Sequence, residues 1–150
     1  MTRPNWILPD GIEECLPDEA WAIEDGRRLC LDLFREAQFG LIIPPMVEYL
    51  ESLTSGVGQD LVEQVVVITD RVSGRLMGIR PDMTPQAARI DAHALNESRT
   101  TRLCYCGSVL RAIPTTGDST RTPVQLGAEI FGNTKISADI EIVRLALETV

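Results

Sequence analysis

The sequence lacks several features that would each indicate a definite class of protein. No apolar run reaches the roughly 20 residues of a transmembrane helix, and the N-terminus, MTRPNWILPDGIEE, has no signal-peptide core. There is one histidine, and the cysteines Cys15, Cys30, Cys104 and Cys106 form no Cys-x-x-Cys pair. The usual zinc spacings are therefore missing. We expect a cytoplasmic protein with no metal site, whose cysteines are small core residues.

Positive charge is also scarce. Lysine and arginine number 14 against 22 acidic residues, which gives a formal net charge of −8. Proteins that grip a nucleic-acid backbone usually carry a basic face, so this negative field argues against a tRNA substrate. It leaves a small zwitterionic ligand open.

The residues that are present predict one α+β domain. Hydrophobic residues make up 44% of the 150 residues, enough for a single core. The spacing predicts a first helix over about 18–38, capped by Asp18 and ended by Gly40, and then a short buried strand over 41–43.

Further along the chain, the same signals predict these elements: a short helix and Gly-rich loop over 48–58, strands over 65–69 and 75–79, a helix capped by Thr84, a strand over 102–111, a polar loop over 115–122, a strand over 124–131, and a last helix capped by Ser137 with Ile140, Val143, Leu147 and Val150 on one face. Strands adjacent in sequence indicate an antiparallel sheet with helices on one side.

Two segments place hydrogen-bonding groups at element ends. Asp82 and Thr84 lie at the start of a predicted helix, where a carboxylate can accept bonds from a ligand ammonium and a hydroxyl can cap the helix. Arg111 ends a predicted strand, where an arginine can hold a carboxylate or phosphate bidentately. From spacing alone, a plain capping motif is the better interpretation of the first segment, and a solvated surface arginine is as open as a ligand contact for the second.

A third segment is a strand with an unusual polar face. Gln125, Gly127 and Glu129 alternate onto one face, and apolar residues occupy the other. Gly127 would leave open space between an amide and a carboxylate. This face is either solvated or forms the floor of a polar pocket.

Together these segments resemble the catalytic core of class II aminoacyl-tRNA synthetases of the histidyl type. FGLIIPP, at 39–45, resembles motif 1; RPDMTPQAAR, at 80–89, resembles the R-P-E-x-T segment; and 105–129 resemble motif 2 and the strand after it. The resemblance implies an antiparallel sheet flanked by helices, with 1–150 forming the N-terminal part of this core domain and motif 3 absent.

The resemblance also assigns roles to individual residues. In the family, the acid and threonine of R-P-E-x-T hold the amino end of histidine, and the glutamine and glutamate of Q-x-G-x-E line the same pocket. These roles fall to Asp82, Thr84, Gln125 and Glu129. Arg111 matches the motif 2 arginine, and we count it among the histidine-binding residues.

Three departures from the synthetase pattern concern ATP. Ile113 stands where the family has a glutamate that contacts adenine, and Pro123 where it has an aromatic residue that stacks on the ring. In the loop between them only Arg121 is cationic. An isoleucine side chain accepts no hydrogen bond and a proline offers no π-face. The amino-acid half of the pocket is therefore expected to be kept and the ATP half lost.

That combination is similar to a paralogous family, the regulatory subunits of ATP phosphoribosyltransferase in histidine biosynthesis. The resemblance implies a non-catalytic protein without a cofactor, with L-histidine as effector, a short catalytic subunit as partner and self-association through the motif 1 region. Two alternatives stay open: an active histidyl-tRNA synthetase, and a truncated, non-functional paralogue.

Overall fold

A computed structural model describes residues 7–95, 99–114 and 120–149 and shows two three-stranded sheets among these residues. The elements in chain order are α1 (Pro17–Glu36), β1 (Gly40–Leu41), β2 (Val47–Tyr49), α2 (Leu50–Leu53), α3 (Gln59–Val62), β3 (Val66–Thr69), β4 (Leu76–Ile79), α4 (Thr84–Arg89) with a π-helical continuation (Ile90–Leu95), β5 (Thr101–Ser108), β6 (Val124–Phe131) and α5 (Ile136–Glu148). The α+β class predicted from the sequence is confirmed.

The larger sheet has the strand order β1-β5-β6. β5 and β6 form the predicted antiparallel pair, in a register that sets Tyr105 opposite Gly127. β1 departs from the predicted antiparallel sheet, because it runs parallel to β5 with Gly40 opposite Leu103. The smaller sheet, β2-β4-β3, is antiparallel and contains the predicted hairpin of β3 and β4.

Helices cover both faces of the larger sheet, so the prediction of helices on one side is wrong. On the first face, α1 and α5 contribute Phe34 and Leu145 to a cluster with Cys104 of β5. The β6 residues packed against this cluster are Leu126, Ala128 and Ile130, which are the apolar face predicted for that strand. On the second face, α4 contributes Ala87 to a cluster with Tyr105. The two faces of β5 and β6 thus have separate cores.

The first helix is bounded by different residues from those predicted. Leu16 occupies the N-cap position, and no side chain caps the helix. Pro17 begins α1, where its missing N–H costs nothing, and Asp18 lies in the first turn instead of at the cap. The helix ends at Glu36, and Gln38, with a φ of 63°, turns the chain toward β1. Gly40, the predicted terminator, is part of the strand, and Leu41 and Ile43 are exposed rather than buried.

Two other predicted helix caps are also wrong. Met83 and Lys135 occupy the N-cap positions of α4 and α5, and neither helix has a side-chain cap. Ser137 lies inside α5. The hydroxyl of Thr84 is bonded to another side chain, described below. At Thr84, the contact with a residue of another element has replaced the cap.

The apolar stripe predicted on the last helix faces outward. Ile140 and Leu147 are 62% and 74% exposed, and Val143 is exposed as well. Val150 lies outside the described residues. α5 packs on the sheet through Leu145, and Arg102 holds it there with a bidentate ion pair to Glu141, at 2.7 and 2.9 Å.

Among the cysteines, only Cys104 is buried, and this burial raises the pKa of its thiol to about 11. Cys15 is exposed, and Cys30 and Cys106 are half-buried, so the prediction of four core cysteines holds for one. In the described ranges, no three His, Cys, Asp or Glu side chains converge as they would to hold a metal ion. No helix in those ranges has the length and apolar character to traverse a bilayer.

Candidate functional site

Four of the five predicted site residues lie together across the second face of the larger sheet. Asp82 and Thr84 come from the segment that leads from β4 into α4, and Gln125 and Glu129 from β6. The Gln125 side chain joins the two segments, since its Nε2 donates to Asp82 Oδ1 at 2.9 Å and its Oε1 accepts from the Met83 main chain at 2.8 Å. With a carboxylate on one side and an N–H on the other, the amide has only one satisfactory orientation.

Asp82 is held by two donors at a single oxygen. Besides the Gln125 amide, Oδ1 accepts the main-chain N–H of Thr84 at 2.7 Å, in a local turn typical of aspartate. This bond takes up an N–H at the start of α4 that has no partner inside the helix. The Asp82 carboxylate is thereby oriented, and among the described residues nothing donates to its Oδ2.

Tyr105 of β5 is the centre of the cluster, although the motifs in the sequence assign it no role. Its hydroxyl donates to Glu129 Oε1 at 3.1 Å and lies 2.7 Å from Thr84 Oγ1. Because the single phenolic proton goes to the carboxylate, Thr84 is the donor in the second bond. Burial raises the pKa of the Tyr105 hydroxyl far above its usual range, with a contribution from the carboxylates of Glu129 and Asp82. Tyr105 is therefore a neutral group at physiological pH.

Gly127 makes room for the Tyr105 ring. A Cβ at this position would lie 2.4 Å from the ring carbon and hydroxyl oxygen of Tyr105. The expectation that Gly127 leaves open space between the amide and the carboxylate is wrong, because the protein's own tyrosine fills that space. A tyrosine directly opposite a glycine in an antiparallel pair is the pattern that could have identified Tyr105.

The fifth predicted residue, Arg111, lies beyond the end of β5. Its main chain forms an isolated bridge with Val65 and accepts a hydrogen bond from Arg121 Nε at 2.8 Å. Its main-chain N–H donates to the Arg121 carbonyl at 2.9 Å. Arg111 does not take part in the hydrogen bonds that join Asp82, Thr84, Gln125 and Glu129.

The cluster presents acceptors and negative charge. Neither Asp82 nor Glu129 forms an ion pair with a described residue, and each uses only one carboxylate oxygen for the bonds above. Asp82 Oδ2 and Glu129 Oε2 accept no hydrogen bond from the described part of the chain. Thr84 is exposed and the other three site residues are half-buried, so a ligand can reach them. Such a site suits a cationic or N–H-rich ligand.

The segment that matches the adenine side of the synthetase pocket is arranged differently. Ile113 is 53% exposed, and its main-chain N–H donates to the Gln64 side chain at 3.2 Å. Arg121 donates to the carbonyls of Arg111 at 2.8 Å and Asp10 at 3.2 Å, which ties the N-terminal arm to this region. Residues 115–119 of the predicted polar loop lie outside the described residues. The Arg121 guanidinium thus binds main-chain carbonyls of the protein itself.

Comparison with known proteins agrees with this architecture. Residues 11–150 match the family model described as histidyl-tRNA synthetase. The chain belongs to the histidyl-tRNA synthetase family. The fold of this family is also found in the apo histidyl-tRNA synthetase of S. aureus, with a TM-score of 0.78 at 18% identity, over 96% of this chain and 34% of that one.

Curated members of the family with higher identity have a different name. The chain is 56% identical to an ATP phosphoribosyltransferase regulatory subunit of Azoarcus sp. (strain BH72), over 94% of this chain and 37% of the relative. It is 52% identical to the protein of that name from Thioalkalivibrio sulfidiphilus (strain HL-EbGR7), over 99% of this chain and 38% of the relative. The chain thus spans less than two-fifths of the length of these relatives.

A solved structure links the two names within the family. It is described as an ATP phosphoribosyltransferase regulatory subunit/histidyl-tRNA synthetase from Bacillus halodurans C, and it superposes with a TM-score of 0.82 at 27% identity. The match covers 99% of this chain and 38% of that chain. The resemblance inferred from the motifs is confirmed.

Proposed function

We propose that this chain is the N-terminal part of a class II core in a regulatory subunit of ATP phosphoribosyltransferase, and that it binds histidine as an effector. The observation that carries the proposal is the acceptor cluster. Asp82 bonds to Gln125 and Glu129 to Tyr105, and each carboxylate has one oxygen that accepts no hydrogen bond from the part of the chain that the structure describes. A histidine offers an ammonium group and an imidazole N–H, both of which need acceptors.

The proposal gives each residue a role in ligand recognition. The Asp82 carboxylate and the Thr84 hydroxyl oxygen accept hydrogen bonds from the ligand ammonium, while Gln125 and Glu129 line the imidazole side of the pocket. Arg111 is assigned to the ligand carboxylate, as the motif 2 match implies. Tyr105 keeps the Glu129 carboxylate oriented and contributes no charge of its own. All of these contacts are binding contacts, so the chain itself would make or break no bond and would need no cofactor.

The adenine side supports a sensor over a synthetase. Formation of an aminoacyl-adenylate requires ATP to be held beside the amino acid, and Ile113 and Pro123 replace the two adenine contacts of the synthetase pattern. Arg121, the cation in that loop, already bonds two main-chain carbonyls. The names of the curated relatives point the same way.

The proposed partner is a short catalytic ATP phosphoribosyltransferase subunit, with self-association through the motif 1 region, α1 and β1, in the cytoplasm. Histidine would inhibit by binding one state of the hetero-oligomer more tightly than the other. A coupling free energy of about 1–3 kcal/mol would change affinity several- to a hundredfold. Mixing the two subunits and measuring activity with and without histidine tests this part.

The direct test is calorimetry on the full-length product of the gene that encodes this chain. We expect L-histidine to bind and ATP with magnesium not to bind. Glu129→Gln should weaken histidine binding about 10- to 100-fold, because a charge-assisted hydrogen bond contributes about 1.5–3 kcal/mol. Glu63→Gln, at an exposed carboxylate outside the site, is the matched control and should leave the affinity unchanged.

Two results would reject the proposal. ATP binding with release of pyrophosphate in the presence of histidine would make the protein a synthetase. Absence of histidine binding to the folded protein would leave the alternative of a non-functional paralogue.

A further inference from the structure

The candidate site straddles the two sheets. Asp82 and Thr84 follow β4 of the smaller sheet, whereas Tyr105, Gln125 and Glu129 belong to β5 and β6 of the larger one. The hydrogen bonds across the cluster require the two groups to be held within about 0.5 Å of their positions, as in any preorganised site. Something outside the cluster must therefore set the position of one sheet against the other.

Arg80 lies at this junction, two residues before Asp82. Its main-chain N–H donates to the Met46 carbonyl, and its carbonyl accepts from Leu110, both at 3.0 Å. Its side chain is buried, with 5% exposure. The guanidinium reaches the carbonyl of Ser108 at the end of β5 through Nε and Nη2, at 3.1 and 3.0 Å, and the carbonyl of Pro44 through Nη1 at 2.6 Å.

The guanidinium is held by main-chain carbonyls and forms no ion pair with a described carboxylate. Burying a cation without a direct counter-ion is costly, and burial lowers the pKa of Arg80, although the nearby Glu48 opposes this effect. Neighbouring sequence accommodates the group, because a Cβ at Gly107 would lie 2.8 Å from Arg80 Nη2. A hydrophobic side chain at position 80 would avoid the cost of burying a cation, but it could not bond the carbonyls of Ser108 and Pro44.

We propose that Arg80 is the positioning residue of the site: its planar fork sets the distance between Asp82–Thr84 and the strands that carry Tyr105, Gln125 and Glu129. Only arginine offers donors that span the Ser108 and Pro44 carbonyls from one rigid plane. The ligand readout below depends on the proposed histidine binding, whereas the structural readout does not.

The test compares Arg80→Lys, which keeps the charge and loses the fork, with Gly107→Ala, which keeps Arg80 and crowds it. Arg89→Lys is the matched control, since Arg89 lies on α4 and pairs with Glu48 outside the cluster. The first readout is the histidine Kd, measured at a temperature at which each variant is fully folded. The second is the resonance of the Gln125 side-chain amide in a ¹⁵N–¹H spectrum. That resonance is assigned as the one lost in Gln125→Glu.

We expect Arg80→Lys and Gly107→Ala each to raise the Kd at least tenfold and to shift the Gln125 resonance, while Arg89→Lys changes the Kd less than twofold. Folded variants that are less stable but keep the Kd and the Gln125 resonance of the wild type would overturn the proposal. If Arg80→Lys does not fold, Gly107→Ala decides by the same readouts. If the wild type binds no histidine, the proposed function fails, and the Gln125 resonance alone decides whether Arg80 positions the cluster.

Discussion

Two regions of the β5–β6 hairpin, the strands and the connection between them, differ in how their polar side chains are bonded. In the middle of the strands, the Tyr105 hydroxyl bonds to Glu129 and the Gln125 amide bonds to Asp82, and the second carboxylate oxygens of Glu129 and Asp82 accept no hydrogen bond from a described residue. In the connection, the Arg121 guanidinium donates hydrogen bonds to the carbonyls of Arg111 and Asp10. Two of the five N–H donors of Arg121 are therefore already engaged by the protein's own main chain. One hairpin thus presents carboxylate acceptors in one region and an internally bonded arginine in the other.

The largest effect on stability is expected at Gly127, which packs directly against the Tyr105 ring. Gly127→Ala would drive a methyl group into the Tyr105 ring and should destabilise the protein by about 1–3 kcal/mol or more. The matched control is Gly26→Ala in the interior of α1, where an added Cβ would meet nothing within 4 Å. This substitution should stabilise the protein by about 0.5–1 kcal/mol, because alanine has the higher helix propensity. Urea unfolding measures both. Equal effects of the two substitutions would show that the ring has room to move.

A smaller, pH-dependent effect should come from Tyr105 itself. Since the folded-state pKa of Tyr105 is raised, its contribution to stability is complete below the unfolded value of about 10 and is lost as the pH rises toward the folded value. The slope is at most about 1.4 kcal/mol per pH unit for one proton. We expect the free energy of unfolding to fall less steeply between pH 8 and 11 in Tyr105→Phe than in the wild type. Parallel curves would contradict a buried, neutral phenol.

The smallest effect is expected at the connection. Ile113→Glu restores the adenine-contacting residue type of the synthetase pattern at an exposed position, so stability should change by less than about 0.5 kcal/mol. ATP binding should remain undetectable by calorimetry, because Arg121 stays bound to main-chain carbonyls and Pro123 offers no stacking face. ATP binding by this variant would break the contrast between the two halves.

The strands of this hairpin, and four residues that the structure brings together in one cluster, could be selected from the sequence because those features are local. β-branched and alternating residues define β6 over Val124–Phe131, and the motif match selects Asp82, Thr84, Gln125 and Glu129. The central position of Tyr105 depends on strand register, which relates residues far apart in the chain. It was missed for that reason.

The errors have the same origin. The helix caps predicted at Asp18, Thr84 and Ser137 rest on local propensity, and in each case the helix begins without a side-chain cap. Thr84 has the clearest alternative, since its hydroxyl is bonded to Tyr105 from another element. The parallel pairing of β1 with β5 and the outward stripe of α5 likewise depend on tertiary contacts that periodicity does not encode.

The pairing of Tyr105 with Gly127 has a consequence for how the hairpin assembles. Residues 109–123 connect β5 and β6, far more than the roughly two to five residues of a loop that dictates strand alignment by itself. A slip of one residue would set Leu126 or Ala128 against the tyrosine ring and turn Gln125 and Glu129 toward α1. Only one alignment of the two strands offers the ring an empty place. Gly127 therefore selects the register of the two strands, and that register places Gln125 and Glu129 on the same face of the sheet as Tyr105.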